Sequence, residues 1–209
     1  ALEVGKRSLV LLKNENRLLP LDRKELKSIA VIGPNADSRE ALIGNYFGTP
    51  SETITVLDGI REAVGKQTRV YSAQGCHLAK KTTSEPGELR DRFAEAMSAA
   101  ERADVTVLCL GLDAGLEGEE GDASNEFASG DKKDLNLPGL QQELMEAVCR
   151  TGKPVILVLL SGSALAVSWA DEHIPVIVQG WYPGAQGGRA IASLLFGDFS
   201  PSGRLPVTF

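Results

Sequence analysis

Long apolar runs and an excess of basic charge are both missing from this 209-residue chain. No apolar run approaches the roughly 20 residues that a membrane-spanning helix needs, and the N-terminus lacks the basic and then apolar segments of a signal peptide. Lys and Arg total 22 against 28 Asp and Glu, which gives a formal net charge of -6. Nucleic acids and anionic membranes would repel such a chain at long range. We therefore expect neither as a partner.

Several sequence motifs of common enzyme classes are absent as well. No Gly-x-Gly-x-x-Gly follows the first predicted strand, and no Gly-x-x-x-x-Gly-Lys-Ser/Thr occurs anywhere, which disfavours nucleotide binding. The serine-hydrolase motif Gly-x-Ser-x-Gly is also missing, and only His77 and His173 are available as a histidine base. Serine hydrolase chemistry is therefore not expected.

Cysteine and histidine are too few to build a metal site. The three cysteines, Cys76, Cys109 and Cys149, are odd in number and irregular in spacing, which fits neither a disulfide framework nor a zinc site. We expect ordinary unpaired thiols. The two isolated histidines join no cluster of metal ligands. The sequence predicts no metal and no cofactor.

Apolar segments without period-two alternation recur along the chain and predict strands that are buried on both faces. Segments with helical spacing lie between them. This alternation predicts right-handed crossovers and an α/β fold, a three-layer α/β/α sandwich around a mostly parallel sheet of five to six strands. The predicted strands cover residues 29–32, 105–110, 155–160 and 176–178, and a weaker pattern over residues 68–72 makes a further strand an option. The predicted helices cover residues 56–64, 89–103, 140–149 and 187–196.

The two ends of the chain are predicted by weaker patterns. Residues 2–12 carry apolar side chains at helical spacing and predict an N-terminal helix, and residues 204–209 predict an edge strand, for which an antiparallel orientation is one option. No repeat or low-complexity linker divides the chain, so residues 1–209 are expected to form a single domain. Because the chain starts with Ala1, we expect it to be a fragment of a longer protein.

In an open parallel sheet, ligands bind beside the loops that follow the carboxyl ends of the strands. The longest of these loops, residues 111–137, carries Glu117, Glu119 and Glu120 among glycines. Repulsion between close carboxyl groups and partial burial both raise a carboxyl pKa, and a carboxyl that stays protonated can act as a general acid. A solvated acidic loop without chemistry is the alternative, and these residues alone leave both open.

Several ordered motifs resemble those of one known family. The segment Ser8-Leu9-Val10-Leu11-Leu12-Lys13-Asn14 is followed by Val31-Ile32-Gly33-Pro34-Asn35-Ala36, Pro138-Gly139-Leu140-Gln141, Trp181-Tyr182-Pro183-Gly184 and Gly203-Arg204-Leu205-Pro206. In this order and over nearly the whole chain, they resemble the C-terminal α/β sandwich domain of glycoside hydrolase family 3, which includes β-glucosidases and β-xylosidases.

The resemblance implies one half of an active site. In that family a (β/α)8 barrel supplies an aspartate nucleophile, and the sandwich domain commonly supplies a glutamate acid/base as the second Glu of Glu-x-Glu. That pattern is matched here by Glu119, with Glu120 and Glu117 as the alternatives. Tyr46 and Phe47, in a loop that resembles the sugar-facing loop of xylosidase-like members, are expected to contact substrate or to pack within their loop.

The resemblance also implies the partners and the reaction. The expected partners are an oligosaccharide or an aryl or alkyl β-glycoside and the N-terminal barrel of the same protein. The expected reaction is retaining hydrolysis of terminal β-linked sugars, and the 209 residues alone are expected to be inactive. The alternatives are a flavodoxin-like nucleotide-binding domain and a non-catalytic structural or interaction domain.

Overall fold

The computed structural model describes residues 1–45, 47–80, 89–118, 132 and 134–208. The strands in this part of the chain are β1 (Val10–Asn14), β2 (Ser28–Ile32), β3 (Arg69–Ala73), β4 (Val105–Gly111), β5 (Val155–Leu160) and β6 (Val176–Gln179). The helices are α1 (Leu2–Ser8), α2 (Val56–Val64), α3 (Phe93–Arg102), α4 (Gln141–Cys149), α5 (Ser168–His173) and α6 (Gly187–Leu195). The strands form one sheet in the order β1-β6-β5-β4-β2-β3, in which only the β1–β6 pair is antiparallel.

The central strands are apolar on both sides because both faces of the sheet are covered. In β5, the side chains of Ile156 and Val158 belong to one core and those of Leu157 and Leu159 to the other. Helices α1, α2 and α6 contribute to the first core, and α3, α4 and α5 to the second. The predicted three-layer α/β/α sandwich with a mostly parallel sheet is confirmed.

The antiparallel edge strand exists, but at the other end of the chain from where it was predicted. The predicted helix over residues 2–12 is wrong beyond Ser8, because Leu9 turns to an extended conformation and β1 follows. Val10 pairs with Gln179 of β6, and hydrogen bonding to this open edge of the sheet stabilises residues 10–14 as a strand. Short apolar runs suit either structure, and this tertiary pairing decides between them. Residues 204–208 form no strand, which corrects the second prediction for the chain ends.

Helices α2 and α6 approach closely where two glycines face each other. A β-carbon on Gly59 would lie 2.2 Å from the backbone of Gly188, and one on Gly188 would lie 1.8 Å from the carbonyl oxygen of Thr55. Thr55 is also the N-cap of α2, since its hydroxyl oxygen accepts from the Asp58 N–H at 3.2 Å. The first turn of α2 is therefore held both by its N-cap hydrogen bond and by close packing against Gly188 of α6.

None of the helices among the described residues is long and apolar enough to cross a membrane.

Candidate functional site

Loops from four strands meet at the carboxyl edge of the sheet, where the sequence predicts ligand binding. The described loop after β4 contacts the loop after β2 through Asn35, the loop after β5 through Gly162 and Ser163, and the loop after β6 through Tyr182. β4 lies between β2 and β5 in the sheet, so its loop emerges at the centre of this edge.

The acidic loop begins at Gly111, whose backbone conformation requires glycine. Its φ is +136°, and a β-carbon there would lie 2.0 Å from the carbonyl oxygen of Leu160 on β5. No L side chain fits between these strands without moving one of them. The start of the loop is therefore set against the end of β5.

Gln141, the first residue of α4, is fully buried and binds both backbone polar groups of Gly111. Its Oε1 accepts from the Gly111 N–H at 2.7 Å, and its Nε2 donates to the Gly111 carbonyl at 2.8 Å and to the Leu78 carbonyl at 2.6 Å. The Gln141 amide thus pairs both backbone polar groups of Gly111, which are buried and would otherwise be costly to leave without a partner. The motif Pro138-Gly139-Leu140-Gln141 thus has a physical role in holding the loop.

Asn35, which is also fully buried, supports the next residue of the loop. Its Nδ2 donates to the carbonyl of Leu112 at 2.7 Å, and the Leu112 N–H donates to the Leu160 carbonyl at 2.7 Å. Both backbone polar groups of Leu112 are therefore engaged. The motif that contains Asn35 connects the first parallel strand to the acidic loop.

The described part of the loop ends near Glu117, whose carboxylate has three donors. Its Oε2 accepts from the Gly162 N–H at 2.6 Å and from the Tyr182 hydroxyl, and its Oε1 accepts from the Ser163 hydroxyl. The donors come from the loops after β5 and β6, so this one side chain joins three loops. These three hydrogen bonds hold the Glu117 carboxylate in one position.

Burial and nearby charge shift the pKa values of two side chains that interact with Glu117, namely Tyr182 and Lys132. Burial raises the pKa of the Tyr182 phenol, and its hydrogen bond to the negative Glu117 carboxylate raises it further. Burial lowers the pKa of Lys132, against the opposing effect of Glu117 and Asp134. The Lys132 ammonium donates to the Ala164 carbonyl at 2.6 Å, which ties the returning end of the loop to the segment after β5.

The predicted site residues fall into two groups. Glu119, Glu120 and Tyr46 lie outside the described residues. Glu117 lies within the anchored cluster above, and the ring of Phe47 is 61% exposed. The Asn45 side chain donates to the Glu117 carbonyl at 3.4 Å, so the loop that carries Phe47 meets the acidic loop.

Sequence reasoning did not assign a role to Tyr182, Ser163, Gln141, Asn35 or Lys132. Asn35, Gln141 and Tyr182 lie in the motifs that carry the family resemblance, and this resemblance was the sequence feature that could have pointed to them. Trp181, just before Tyr182, has φ +57°, an uncommon backbone conformation for a bulky residue. Such conformations concentrate at functional sites.

No group of three His, Cys, Asp or Glu side chains that could hold a metal ion occurs among the residues whose placement the structure gives. The Cys76 and Cys109 thiols are buried and the Cys149 thiol is half-buried, and none of them forms a disulfide.

Comparisons with known proteins place the chain in one family. The family model of the glycosyl hydrolase family 3 C-terminal domain matches residues 9–209. A β-xylosidase of Formosa agariphila is 40% identical over 215 residues, which cover 100% of this chain and 28% of the relative. A periplasmic β-glucosidase of Salmonella typhimurium is 35% identical over 224 residues, again 100% of this chain and 28% of the relative. The chain thus spans about a quarter of these curated relatives.

Solved structures show the same relationship. A β-glucosidase from Erythrobacter marinus superposes with a TM-score of 0.82 at 37% identity, over 98% of this chain and 29% of that one. An exo-β-xylosidase bound to a xylobiose aziridine probe gives a TM-score of 0.82 at 32% identity, over 97% of this chain and 24% of that one. The resemblance seen in the motifs is confirmed, and the chain belongs to glycosyl hydrolase family 3 as its C-terminal domain.

Proposed function

We propose that this domain supplies the general acid/base to a retaining, exo-acting β-glycosidase, and that Glu119 is that residue. The substrates are terminal β-linked sugars of oligosaccharides or aryl and alkyl glycosides, of the glucoside or xyloside type. Relatives named as a β-xylosidase and a β-glucosidase support this substrate class. The barrel that completes the site belongs to the same protein.

One observation carries the choice among the three glutamates. Both carboxylate oxygens of Glu117 accept hydrogen bonds from Gly162, Ser163 and Tyr182. A general acid/base must exchange a proton with the substrate oxygen or with water, and an acceptor with three fixed donors is poorly suited to that. This supports assigning the chemistry to the glutamates that follow. Glu119 is the second Glu of the Glu-x-Glu pattern, and Glu120 is its nearest competitor.

The proposed reaction runs in two steps. A barrel aspartate attacks the anomeric carbon while the Glu119 carboxyl gives its proton to the departing oxygen, and the glycosidic bond breaks. The Glu119 carboxylate then takes a proton from water, whose oxygen displaces the aspartate and releases the sugar. Retention requires the two carboxyl groups to lie about 5 to 5.5 Å apart. The 111–137 loop must therefore reach the barrel's sugar site.

Tyr46 and Phe47 are proposed to line the leaving-group side of this site. The contact of Asn45 with the Glu117 carbonyl supports this, because it brings their loop to the acidic loop. The exposed ring of Phe47 is available to a sugar or an aryl group.

The chain of 209 residues alone is proposed to be inactive, because the nucleophile belongs to the barrel. Aryl β-glucosides and β-xylosides incubated with the purified chain should release no aryl alcohol above the background rate. Turnover that E119A abolishes would overturn this part of the proposal.

The decisive experiment compares E119A and E120A in the full-length protein, with aryl glycosides of good and poor leaving groups and with added azide. E119A should lose about 10²- to 10⁴-fold in kcat/KM on poor leaving groups. With good leaving groups, azide should displace the aspartate from the glycosyl-enzyme without a general base, which restores turnover and gives a glycosyl azide of retained β configuration. E120A should show no azide recovery. Azide recovery in E120A but not in E119A would overturn the assignment, and full activity of both variants would overturn the proposed role of the loop.

A further inference from the structure

Glu117 lies two residues before the proposed acid/base, and three hydrogen-bond donors surround its carboxylate. The three donors to its carboxylate, Gly162 N–H, Ser163 hydroxyl and Tyr182 hydroxyl, reach it from the ends of β5 and β6. We call this group of four residues the Glu117 seat. It joins the acidic loop to the two strands next to β4 on one side of the sheet.

The donors of the seat are themselves held in place. The Ser161 hydroxyl, which is fully buried, donates to the Ser163 carbonyl at 2.8 Å. The buried Gln179 amide, at the end of β6, donates to the Ser161 hydroxyl at 3.1 Å. This chain of hydrogen bonds fixes the loop after β5 to β6, so the two donors from that loop, Gly162 and Ser163, do not depend on Glu117 for their position.

The seat is also tightly packed. A β-carbon on Gly162 would lie 3.0 Å from the Tyr182 ring and 3.2 Å from the Glu117 carboxylate, so an added methyl group would have to displace one of them by a few tenths of an ångström. Because the raised pKa of Tyr182 keeps its phenol protonated, the hydroxyl remains a donor. Polar groups this close and this well matched specify one position for the carboxylate.

The backbone around Glu117 is held as firmly as its side chain. The N–H groups of Leu116 and Glu117 both donate to the Asp113 carbonyl at 3.1 Å, and the Leu116 N–H also lies 3.0 Å from the Asp113 carboxylate. Asn45 donates to the Glu117 carbonyl. The backbone at Glu117 is therefore fixed together with its side chain.

We propose that Glu117 is a positioning residue, whose carboxylate in the seat sets the origin of the segment that carries the acid/base. This inference rests on the proposed function of Glu119. A displacement of about 1 Å of a reacting group costs on the order of 10²-fold in rate, so a fixed origin two residues away has catalytic value. Tyr182 acts through Glu117 in the same way.

The test uses the full-length protein with E117Q, Y182F and the double variant, and E62Q as matched control. The E117Q change keeps the shape of the side chain but removes its charge and replaces one of its two acceptor oxygens with an NH2 group, which must then face either Ser163 or the pair Gly162 and Tyr182. Glu62 is a hydrogen-bonded glutamate as well, but it binds Arg189 at 2.6 Å in the contact between α2 and α6. E62Q should therefore leave the kinetics unchanged.

The expected result has three parts. E117Q should lower kcat/KM about 10- to 100-fold for glycosides with poor leaving groups, but only a few-fold for activated ones, which need little protonation. Azide should not restore its activity, because the acid/base is still present. The double variant should lose less than the sum of the two single losses, since both changes act on the same hydrogen-bonded group.

Other outcomes separate this inference from the proposed function. Azide rescue of E119A together with E62Q-like kinetics of E117Q would overturn the positioning role alone. Azide rescue of E117Q but not of E119A would make Glu117 the acid/base and overturn both. An equal loss on all leaving groups would point to general destabilisation and also overturn the inference. If E117Q does not fold, Y182F, which removes one hydroxyl only, decides by the same leaving-group comparison.

Discussion

The hydroxyl of Tyr182 donates a hydrogen bond to the carboxylate of Glu117, although 65 residues separate them in the chain. The phenol is largely buried, and its acceptor is negatively charged. Burial and the charge of Glu117 both favour the neutral phenol, and both therefore raise the pKa of Tyr182. The pair therefore links the geometry of the acidic loop to a titration that can be followed by absorbance.

We predict that the Tyr182 phenol ionises only well above the usual pH for tyrosine, and that E117Q lowers its pKa. Removing the negative charge of Glu117 weakens its contribution to the raised pKa of Tyr182 and leaves burial and the charge of Asp113. An absorbance titration of phenolate in the 209-residue chain should show a late step that Y182F abolishes and that E117Q moves to lower pH. Y71F, which removes a phenol from strand β3, is the control and should keep the late step. A late step that persists in Y182F would contradict the prediction.

The same pKa has a consequence for stability at alkaline pH. The unfolded chain releases the Tyr182 proton at a pKa near 10, whereas the folded chain keeps it to higher pH. Its contribution to stability is therefore complete below pH 10 and is lost as pH rises above that value, by up to about 1.4 kcal/mol per pH unit. Urea unfolding of the wild type should weaken more steeply above pH 10 than that of Y182F. Parallel curves for the two proteins would count against the shift.

Gly188 is predicted to be intolerant of even one added methyl group. In G188A the new β-carbon would overlap the Thr55 carbonyl, which belongs to the backbone and cannot rotate away, so α2 and α6 must separate. Overpacking of this kind costs about 1 to 3 kcal/mol or more. Urea unfolding measures the loss. G48A is the control, because a β-carbon on Gly48 would meet nothing within 4 Å, and a loss as large as that of G188A would disprove the packing explanation.

The sheet was largely predictable from sequence, because buried parallel strands leave a strong signal. β4 and β5 are apolar at nearly every position and buried throughout, so their runs were found nearly to the residue. β1 was missed for a physical reason. Its residues suit a helix or a strand, and the choice depends on the open edge of β6, which comes much later in the chain.

The site was predictable only in part. Glycines and carboxylates in the 111–137 loop indicated a functional loop, but nothing local distinguishes an anchored glutamate from a free one. The role of Glu117 depends on Ser163 and Tyr182, which only the fold brings to it. Glu119 was singled out by resemblance to a family pattern, and its role remains a prediction that the experiments above test.

The three cysteines should differ in reactivity according to burial. Burial raises the pKa of Cys149 to about 11 and that of Cys76 to about 12, and raises the pKa of the fully buried Cys109 as well. The thiolate is the reactive form, and one pKa unit changes its fraction about tenfold. Cys149 should therefore be alkylated first near pH 8, and C149S should remove that first product in a mass-spectrometric time course. Earlier labelling of Cys109 would contradict the buried position of β4.

The amide of Gln141 offers the sharpest test of how the acidic loop is held. In Q141L the Gly111 N–H and carbonyl lose their partner while staying buried, and the half-buried Leu78 carbonyl loses its partner as well. Each unsatisfied group costs about 1 to 3 kcal/mol. We expect the free energy of unfolding to fall by about 3 to 5 kcal/mol, since such costs are not fully additive.

Q141E separates the hydrogen-bonding role of Gln141 from its packing role. A buried carboxylate still accepts from Gly111 N–H but faces two carbonyl oxygens, so its pKa must rise on folding. A raised folded pKa gives stability below the unfolded value of about 4.3 that is lost as pH rises through the folded value. Relative to wild type, Q141E should be much less unstable near pH 4 than near pH 8 in urea unfolding. Q142E is the control, because Gln142 is half-buried and donates to Glu146 within α4, and a pH-independent loss in Q141E would show that the amide hydrogen bonds do not hold the loop.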